Sequence, residues 1–357
     1  MRDVVVLPGL ALGARHSLVL KHDGTVWAAG GNTFGQLGID PRENIIVNNF
    51  VKIFSGGEAI AAGGSHSMIL KHDGSVWSTG MNKYGQLGDG SNIDKDTFVQ
   101  AISGLAKALA AGGEHSLVVK QDGSMWAAGF NLYGQLGDGS IAARSVFVKV
   151  IPGGVEAVAA GREHSMVLKQ DGSVWTAGLN WSGQLGDGSG NLKSSFVQVI
   201  PSGGKAIAAG GYHSIALNED GSVLATGENK YGQLGDSTTV RYFMHPVARG
   251  VKAIAAGHDH SMLLMHDGSV WTSGRNNFGQ LGDLSTVSSS IFEEVISDGV
   301  QAVAAGDWHS MVLMSDGSLW TTGANVYGQL GDGSVISKNR FTKSVVQHNG
   351  ALCGATT

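Results

Sequence analysis

Apolar residues in this chain come in runs of five or six, and each run stops near a glycine or an Asp-Gly pair. The segment 155–200 is representative, because it holds four such runs: Val155–Ala160, His164–Lys169, Ser173–Ala177 and Phe196–Ile200. Runs this short, bounded by turn residues, predict β-strands rather than helices. The segment is therefore expected to contain four strands and no helix.

The same pattern occurs seven times, with a period of about 49 residues. Its markers are a His-Ser pair and a Gly-Gln-Leu-Gly run, whose last glycine follows the histidine by 22 residues in every copy. A fixed interval within a repeat indicates one supersecondary unit copied along the chain. The histidines are His16, His66, His115, His164, His213, His260 and His309.

An Asp-Gly pair separates the second and third runs of every copy, as at Asp171-Gly172. The pair predicts a two-residue type I′ hairpin, which needs positive φ at both central residues. Four antiparallel strands in each of seven copies predict an all-β fold, a seven-bladed β-propeller of four-stranded antiparallel blades. Residues 1–357 are expected to form this one domain.

Side-chain size assigns a place to each strand. The first run is rich in alanine, which suits strands that converge on the propeller axis, and the second is apolar without alternation, which suits a strand covered on both faces. The third run carries a tryptophan in six copies, and these rings are expected to fill the space between blades. They are Trp27, Trp77, Trp126, Trp175, Trp271 and Trp320, with Leu224 in the fifth copy.

The two ends of the chain overlap in pattern. Phe341–Val345 and Val4–Leu7 both look like a fourth strand, and Gly350–Ala355 loosely matches a first strand. One end is expected to close the ring by completing a terminal blade, and the pattern leaves open which end does so.

Composition narrows the functional classes. The net charge is −5 and no basic tail is present, so a nucleic-acid partner is not favoured. No apolar stretch reaches the ~20 residues of a membrane span, so no membrane association is expected. The single cysteine, Cys353, allows no internal disulfide. These features favour a cytoplasmic or nuclear protein.

Three motifs that suggest chemistry have structural explanations. A His-Ser pair in every copy does not single out a catalytic site, and each histidine is expected to bond a neighbouring backbone group. Gly-Asp-Gly-Ser, as in Gly88–Ser91, lacks the further acidic ligands of a calcium loop. Gly-Gln-Leu-Gly lacks the Lys-Ser/Thr of a phosphate loop. The sequence thus indicates no catalytic residue, no metal site and no cofactor.

The repeat Ala-Ala-Gly-x-x-His-Ser, Asp-Gly-x-x-Trp and Asn-x-x-Gly-Gln-Leu-Gly resembles that of the regulator of chromosome condensation family, over essentially the whole chain. The resemblance implies the propeller fold and a protein-binding face. Functions within the family diverge, so the fold does not select one. They include nucleotide exchange on the small GTPase Ran, ultraviolet-B sensing, ubiquitin-ligase domains and inhibition of β-lactamases.

Two of those functions imply features that can be sought here. Exchange on Ran implies a wedge inserted in one blade, but the segment between Gly-Gln-Leu-Gly and the fourth run holds only 7 to 11 residues. Light sensing implies clustered tryptophans in the turns before the repeat histidines, where only Trp308 occurs. Nucleotide exchange is therefore kept as the alternative function, and light sensing is set aside.

Strand direction groups the variable loops. The turn before each repeat histidine and the loop after each third strand are expected at one end of the propeller, called the pre-His face from here on. The Asp-Gly hairpins lie at the other end, the hairpin end, and hardly vary between copies. The pre-His face is therefore the better candidate for specific binding.

Two sectors of the pre-His face stand out. The first, in copies two to four, is apolar and comprises Met81, Phe130, Leu132, Leu179 and Trp181. The second, in copies five to seven and the adjacent first, mixes aromatic and charged residues and comprises Arg15, Tyr212, His258, Asp259, Asp307 and Trp308. Arg162 of copy four is a further candidate, for which pairing with Glu163 is the alternative. Apolar patches and aromatic residues beside arginine are typical of interfaces. Packing between blades, or an ordinary solvated rim, would explain the same residues.

The leading hypothesis is a non-catalytic propeller that binds another protein on its pre-His face. The alternative is a guanine nucleotide exchange factor for a Ran-like small GTPase. A hydrolase or metal-dependent enzyme in the central mouth is a third, disfavoured hypothesis, because its residues would have to differ from the repeat.

Overall fold

Seven four-stranded antiparallel sheets surround one axis in the computed structural model, which describes residues 9–237, 240–247 and 250–344. Each sheet is one blade, and blades 1 to 7 follow in chain order. The predicted fold class, a seven-bladed β-propeller, is confirmed. No helix that could cross a membrane occurs in the described ranges.

The strands are numbered in chain order. Blades 1 to 3 contain β1 Leu10–Leu12, β2 His16–Leu20, β3 Val26–Gly31, β4 Ile46–Phe54, β5 Gly57–Ala62, β6 His66–Lys71, β7 Val76–Gly80, β8 Lys95–Ile102, β9 Ala106–Ala111, β10 His115–Lys120, β11 Met125–Gly129 and β12 Arg144–Ile151. Blades 4 and 5 contain β13 Val155–Ala160, β14 His164–Lys169, β15 Val174–Gly178, β16 Lys193–Ile200, β17 Gly204–Ala209, β18 His213–Asn218, β19 Val223–Gly227 and β20 Val240–Val247. Blades 6 and 7 contain β21 Val251–Ala256, β22 His260–Met265, β23 Val270–Gly274, β24 Ser289–Ile296, β25 Val300–Ala305, β26 His309–Met314, β27 Leu319–Gly323 and β28 Lys338–Ser344.

The fourth blade shows where apolar runs define strands and where they do not. Its first two strands have the predicted bounds, and its third is shifted by one residue. Its fourth begins at Lys193 rather than Phe196, because Lys193 pairs with Gly178. This strand lies at the outer edge of the blade, so polar residues extend it where the apolar pattern gives no signal.

The Asp-Gly hairpins form in every blade, but the predicted type I′ turn is wrong. Among the described residues, only Leu105 and Leu284 combine a side chain with positive φ, so the aspartates of these turns have negative φ. In blade 4 the Gly172 amide donates to the Lys169 carbonyl at 2.9 Å, and Gly172 has φ +78°. This is the three-residue loop in which a turn is followed by a left-handed glycine.

The blades are joined to one another by a buried relay of side chains. His66 of blade 2 lies with Nε2 2.9 Å from Ser116 Oγ of blade 3, and that hydroxyl donates to the Gln86 carbonyl of blade 2 at 2.7 Å. Since the hydroxyl proton goes to the carbonyl, Oγ must accept from the histidine, so Nε2 carries a proton. Burial lowers the pKa of His66 to about 4 and so keeps the ring neutral at neutral pH. A serine thus links two points of the preceding blade.

The same relay occurs at all seven joints, with His–Ser distances of 2.8–2.9 Å. The seventh joint pairs His309 of blade 7 with Ser17 of blade 1 and closes the ring. The expectation of a backbone partner for each histidine was wrong, since the partner is a side chain on the next blade. Burial lowers the pKa of these histidines from 6.5 to about 3 or 4.

Closure of the ring needs no exchange of strands within the described residues. Blade 1 begins with its own short first strand, β1, and blade 7 ends with its own fourth strand, β28. The predicted strand around Phe341 is therefore confirmed. The candidate strands Val4–Leu7 and Gly350–Ala355 lie outside the described residues.

The tryptophans of the third strands fill space between blades, as predicted. Trp126 of blade 3 packs against the core of blade 2, which includes Met68 and Val76. Trp175 of blade 4 packs in the same way against Leu117 and its neighbours in blade 3. Each ring therefore contributes apolar contact to a joint that the relay also holds.

Acid should unfold this propeller steeply, because the fold requires neutral joint histidines. Their folded pKa values, about 3 or 4, lie below the ordinary 6.5. Between pH 6.5 and about 4 the unfolded chain binds more protons, so stability falls as the pH falls through that window. Each histidine contributes about 1.4 kcal/mol per pH unit, and seven contribute about 10 kcal/mol per unit.

Urea unfolding followed by circular dichroism near pH 7.5, 6 and 5 measures this slope. The free energy of unfolding should drop toward pH 5, with a proton uptake approaching seven. Carboxylates with lowered pKa act mainly below pH ~4, outside this range. A free energy that stays level from neutral pH to pH 5 would contradict the relay.

Candidate protein-binding face

Backbone hydrogen bonds tie the two sets of variable loops together at one end of every blade. In blade 3 the Phe130 amide, just after the third strand, donates to the Glu114 carbonyl in the turn before the histidine, at 2.8 Å. The equivalent bond in blade 6 runs from the Arg275 amide to the Asp259 carbonyl at 2.8 Å. The pre-His face is thus formed as predicted.

A cavity of about 650 Å³ opens at the centre of this face. Its walls are the glycine-rich ends of the first strands, and its charged and aromatic lining comes from the pre-His turns. That lining includes Arg15, Glu114, Arg162, Glu163, Asp307 and Trp308. The axial mouth, as this cavity is called below, therefore brings together residues from blades 1, 3, 4 and 7.

Four of the predicted site residues form one contact network, called the arginine–aromatic cluster below. Arg162 Nη1 donates to His258 Nε2 at 3.0 Å, although the two residues are 96 positions apart. The His258 ring is stacked on Trp308, with centroids 5.1 Å apart, and Tyr212 meets its edge at 5.6 Å. Turns of blades 4 to 7 are therefore in direct contact.

Asp259 was predicted to face a partner, and the structure corrects this. Its side chain is buried, with only 3% of the residue exposed. Its Oδ1 lies 2.9 Å from His258 Nδ1, and its Oδ2 lies 3.2 Å from Arg275 Nη1. Asp259 therefore orients two neighbours and presents little surface of its own.

Charges within this network shift the pKa values of Asp259 and His258. Burial raises the pKa of Asp259, but His258 and Arg275 outweigh that effect and leave it below its ordinary value. Burial lowers the pKa of His258, but Asp259 and Asp307 outweigh it and raise the pKa above 6.5. Arg162 can donate to Nε2 only while that nitrogen carries no proton, as in the neutral ring. Protonation of His258 would therefore break this hydrogen bond.

Arg275 belongs to the same cluster, although it was not among the residues predicted from the sequence. Its guanidinium lies over the rings of Trp308, at 4.6 Å, and of Tyr231, at 4.9 Å. The signal was present, because Arg275 is the only cation at the position directly after a third strand, where the other copies have neutral or acidic residues.

Arg15 and Asp307 lie beside the cluster rather than in it. Arg15 is exposed and its guanidinium sits 4.6 Å from the centre of the Tyr327 ring. Asp307 is half-buried in the axial mouth, and burial raises its pKa. Both residues are within reach of a ligand that enters the mouth.

The apolar sector of blades 2 to 4 is a row of aromatic rings, called the aromatic ladder below. Tyr84 contacts Phe130 at 4.8 Å, Phe130 contacts Tyr133 at 5.9 Å, and Tyr133 contacts Trp181 at 5.4 Å, all between ring centroids. Trp181 is 63% exposed. A continuous apolar strip therefore crosses three blades.

The remaining members of that sector divide by burial. Leu132 is exposed, and Met81 is half-buried at the edge of the axial mouth. Leu179 is fully buried, so packing within the propeller, the other interpretation of this sector, applies to it. Tyr84 and Tyr133 were missed because an aromatic residue precedes Gly-Gln-Leu-Gly in six copies and looked like a constant of the repeat.

An exposed aliphatic rim surrounds the face and was also missed. It lies in the segments before the fourth strands, whose length was the only feature used in the predictions from the sequence. A buried asparagine holds each segment: Asn82 Nδ2 donates to the Ile93 carbonyl at 3.2 Å, and Asn276 Nδ2 donates to the Val287 carbonyl at 3.1 Å. The rim comprises Ile45, Ile93, Ile141, Leu192, Leu284, Val287, Val335 and Ile336.

Leu284 in this rim has a backbone conformation that disfavours side chains. Its φ is +70°, and other copies have glycine at this position, as at Gly90 and Gly333. A left-handed conformation costs a non-glycine residue about 1–2 kcal/mol. The side chain is nevertheless 69% exposed, so packing within the propeller does not explain it.

Metal ligation finds no support in the described part of the chain, where no group of three or more histidine, cysteine or acidic side chains is placed to hold an ion. The aspartates of Gly-Asp-Gly-Ser are engaged structurally. Asp89, for example, accepts from the Ser91 amide at 2.9 Å and from Asn82 Nδ2 at 3.0 Å. The equivalent Asn180 is fully buried and donates to Asp187 in the same way.

The seven blades are nearly identical, and the loops in which they differ lie together on the pre-His face. This arrangement defines the class as a repeat propeller with one variable loop face. The chain belongs to the family of the regulator of chromosome condensation (RCC1): the family model for the RCC1-like domain matches residues 108–355. Models of the single RCC1 repeat match residues 9–36, 58–86 and 73–119.

Solved structures of the same architecture include human WBSCR16, with a TM-score of 0.74 and 24% identity over 86% of each chain. Yeast RCC1 (Prp20) bound to Kap60 gives a TM-score of 0.80 and 21% identity over 96% of this chain and 85% of that one. Prp20p from Saccharomyces cerevisiae, described with its binding to Gsp1p and histones, gives 0.80 and 22% over 93% and 88%. Such identities show a shared fold. A search of curated proteins gives no match.

Substitution of two tryptophans by alanine distinguishes a residue of the core from a residue of the pre-His face. Trp175→Ala should cost about 3–5 kcal/mol, because it empties a joint between blades. Trp308→Ala removes stacking on His258 and should cost about 1 kcal/mol. Urea unfolding of both variants at neutral pH measures the difference, and equal losses would contradict this division.

Proposed function

We propose that this protein is a non-catalytic binding module that holds another protein on its pre-His face. The proposal rests on the location of the exposed apolar surface. Most large hydrophobic side chains that are exposed lie in loops of the pre-His face, and in the described part of the chain only Leu105 lies at the hairpin end. Contiguous exposed apolar surface rimmed by polar groups marks interaction sites.

The composition and the organisation of the pre-His face both support a binding function. Tryptophan, tyrosine and arginine dominate interface hot spots, and the arginine–aromatic cluster supplies all three. Asp259 holds His258 and Arg275 in place before any partner arrives. Preorganisation of this kind lowers the entropy that association costs.

The fold relatives support a protein as the partner class. Prp20 is bound to Kap60 in one of the solved structures, and the other is described together with binding of Prp20p to Gsp1p and histones. These are properties of Prp20. For this chain they make protein binding the first function to test and keep nucleotide exchange as the alternative.

Affinity capture with paired variants tests the proposal. Wild type and Tyr212→Ala/Trp308→Ala are used as baits, with Glu58→Ala/His72→Ala as the control. The control pair is exposed at the hairpin end, with His72 Nδ1 3.7 Å from Glu58 Oε2. A partner should be retained by wild type and control and lost by the face variant. Loss only in the control, or equal retention by all three, would contradict binding at this face.

Leu284→Gly and Leu105→Gly form a second matched pair. Both residues have positive φ, at opposite ends of the propeller, so each substitution should stabilise the fold by about 0.5–1 kcal/mol. Only Leu284→Gly should weaken binding of the captured partner, because only Leu284 lies on the pre-His face. Calorimetry of both variants measures stability and affinity, and equal affinities would remove Leu284 from the interface.

The alternative function has its own assay. Release of a fluorescent guanine nucleotide from a Ran-like GTPase should proceed at the intrinsic rate when the propeller is added. A large acceleration, lost in Tyr212→Ala/Trp308→Ala, would replace the proposed function by nucleotide exchange.

A further inference from the structure

Two carboxylates that line the axial mouth lie outside its ion pairs. Glu114 and Glu163, in neighbouring blades 3 and 4, are half-buried and form no ion pair within the described residues. Burial raises the pKa of both, and Glu163 raises that of Glu114 further. Arg162 offsets this in part for both carboxyls, together with Lys83 at Glu114 and His258 at Glu163, and the pKa of each stays raised.

The arginines of the face, by contrast, are already engaged. Arg162 donates to His258, Arg275 pairs with Asp259, and Arg15 lies over the Tyr327 ring. A partner that meets this face therefore encounters arginines with contacts in place and carboxylates without them. The electrostatic complement of the Glu114–Glu163 pair is a cation.

The backbones of the two glutamates are bonded to the loops that carry the aromatic ladder. The Glu114 carbonyl accepts from the Phe130 amide at 2.8 Å, and the Glu163 carbonyl accepts from the Leu179 amide at 2.9 Å, two residues before Trp181. In blades 3 and 4, the acidic pre-His turn and the loop after the third strand are thus bonded to each other. A ligand that reaches the carboxylates from the side of blades 2 to 4 crosses the ladder.

We infer that the partner presents a segment in which a lysine or arginine enters the axial mouth against Glu114 and Glu163 while neighbouring aliphatic or aromatic residues lie on the aromatic ladder. This inference rests on the proposed function and adds the chemistry of the partner. An acidic segment would add repulsion to carboxylates that are already poorly solvated. A purely apolar segment would bury them further without compensation.

Selection from a phage-displayed random dodecapeptide library tests the inference without a known partner. Wild type is the bait, and each enriched peptide is then measured by fluorescence anisotropy against four variants. Glu114→Gln/Glu163→Gln removes the charges and Trp181→Ala removes the exposed ring of the ladder. Trp308→Ala reports on the arginine–aromatic cluster, and Glu58→Gln is the charge control at the hairpin end.

Enriched peptides should combine lysine or arginine with leucine, phenylalanine or tryptophan. Their affinity should fall at least tenfold in Glu114→Gln/Glu163→Gln and in Trp181→Ala, and should be unchanged in Glu58→Gln. The wild-type affinity should weaken with added salt, and the Gln variant should lose most of that dependence. Because the fold disfavours these two charges, the Gln variant should be at least as stable as wild type.

Three outcomes would overturn the inference. They are enrichment of acidic or uncharged peptides, basic peptides that bind the Gln variant as tightly as wild type, and no enrichment at all. Peptides of any charge that are lost in Trp308→Ala but not in the Gln variant would leave the proposed function standing and refute only the basic segment. Loss of face-specific binding in the affinity capture would refute both.

Discussion

A hydrogen bond from a buried neutral histidine to a serine on the next blade is the interaction on which this structure depends. It occurs seven times, and the seventh, between His309 and Ser17, is equivalent to the others. The ring is therefore closed by the same chemistry that joins its blades. Since each histidine directly follows a pre-His turn, the relay that joins two blades also positions the residues that a partner would meet.

This arrangement divides the repeat into constant and variable parts for a physical reason. His, Ser, Trp and the Gly-Gln-Leu-Gly run serve joints, and a joint tolerates little change because both of its blades are buried against it. The side chains of the turns before the histidine and of the loops after the third strand are less constrained by the joints, so differences between copies accumulate there. The arginine–aromatic cluster and the aromatic ladder are two products of that freedom.

What could be predicted from the sequence follows the same division. The period, the inner strands and the placement of the pre-His face were predictable, because they depend on local patterns repeated seven times. Contacts between copies were not, since nothing local links Arg162 to His258, 96 residues away. The burial of Asp259 was missed for the same reason, because its surroundings come from neighbouring loops. Leu284 was missed because its positive φ becomes evident only when its turn is compared with those of other blades.

Hydrogen–deuterium exchange of the propeller with and without its captured partner is the most direct test of the central claim, that joints hold a rigid ring whose pre-His face binds. Protection should increase in the pre-His turns and post-strand loops of blades 2 to 7, while the hairpin end and the joint strands stay unchanged. Protection confined to the hairpin end, or spread through the joint strands, would contradict the account.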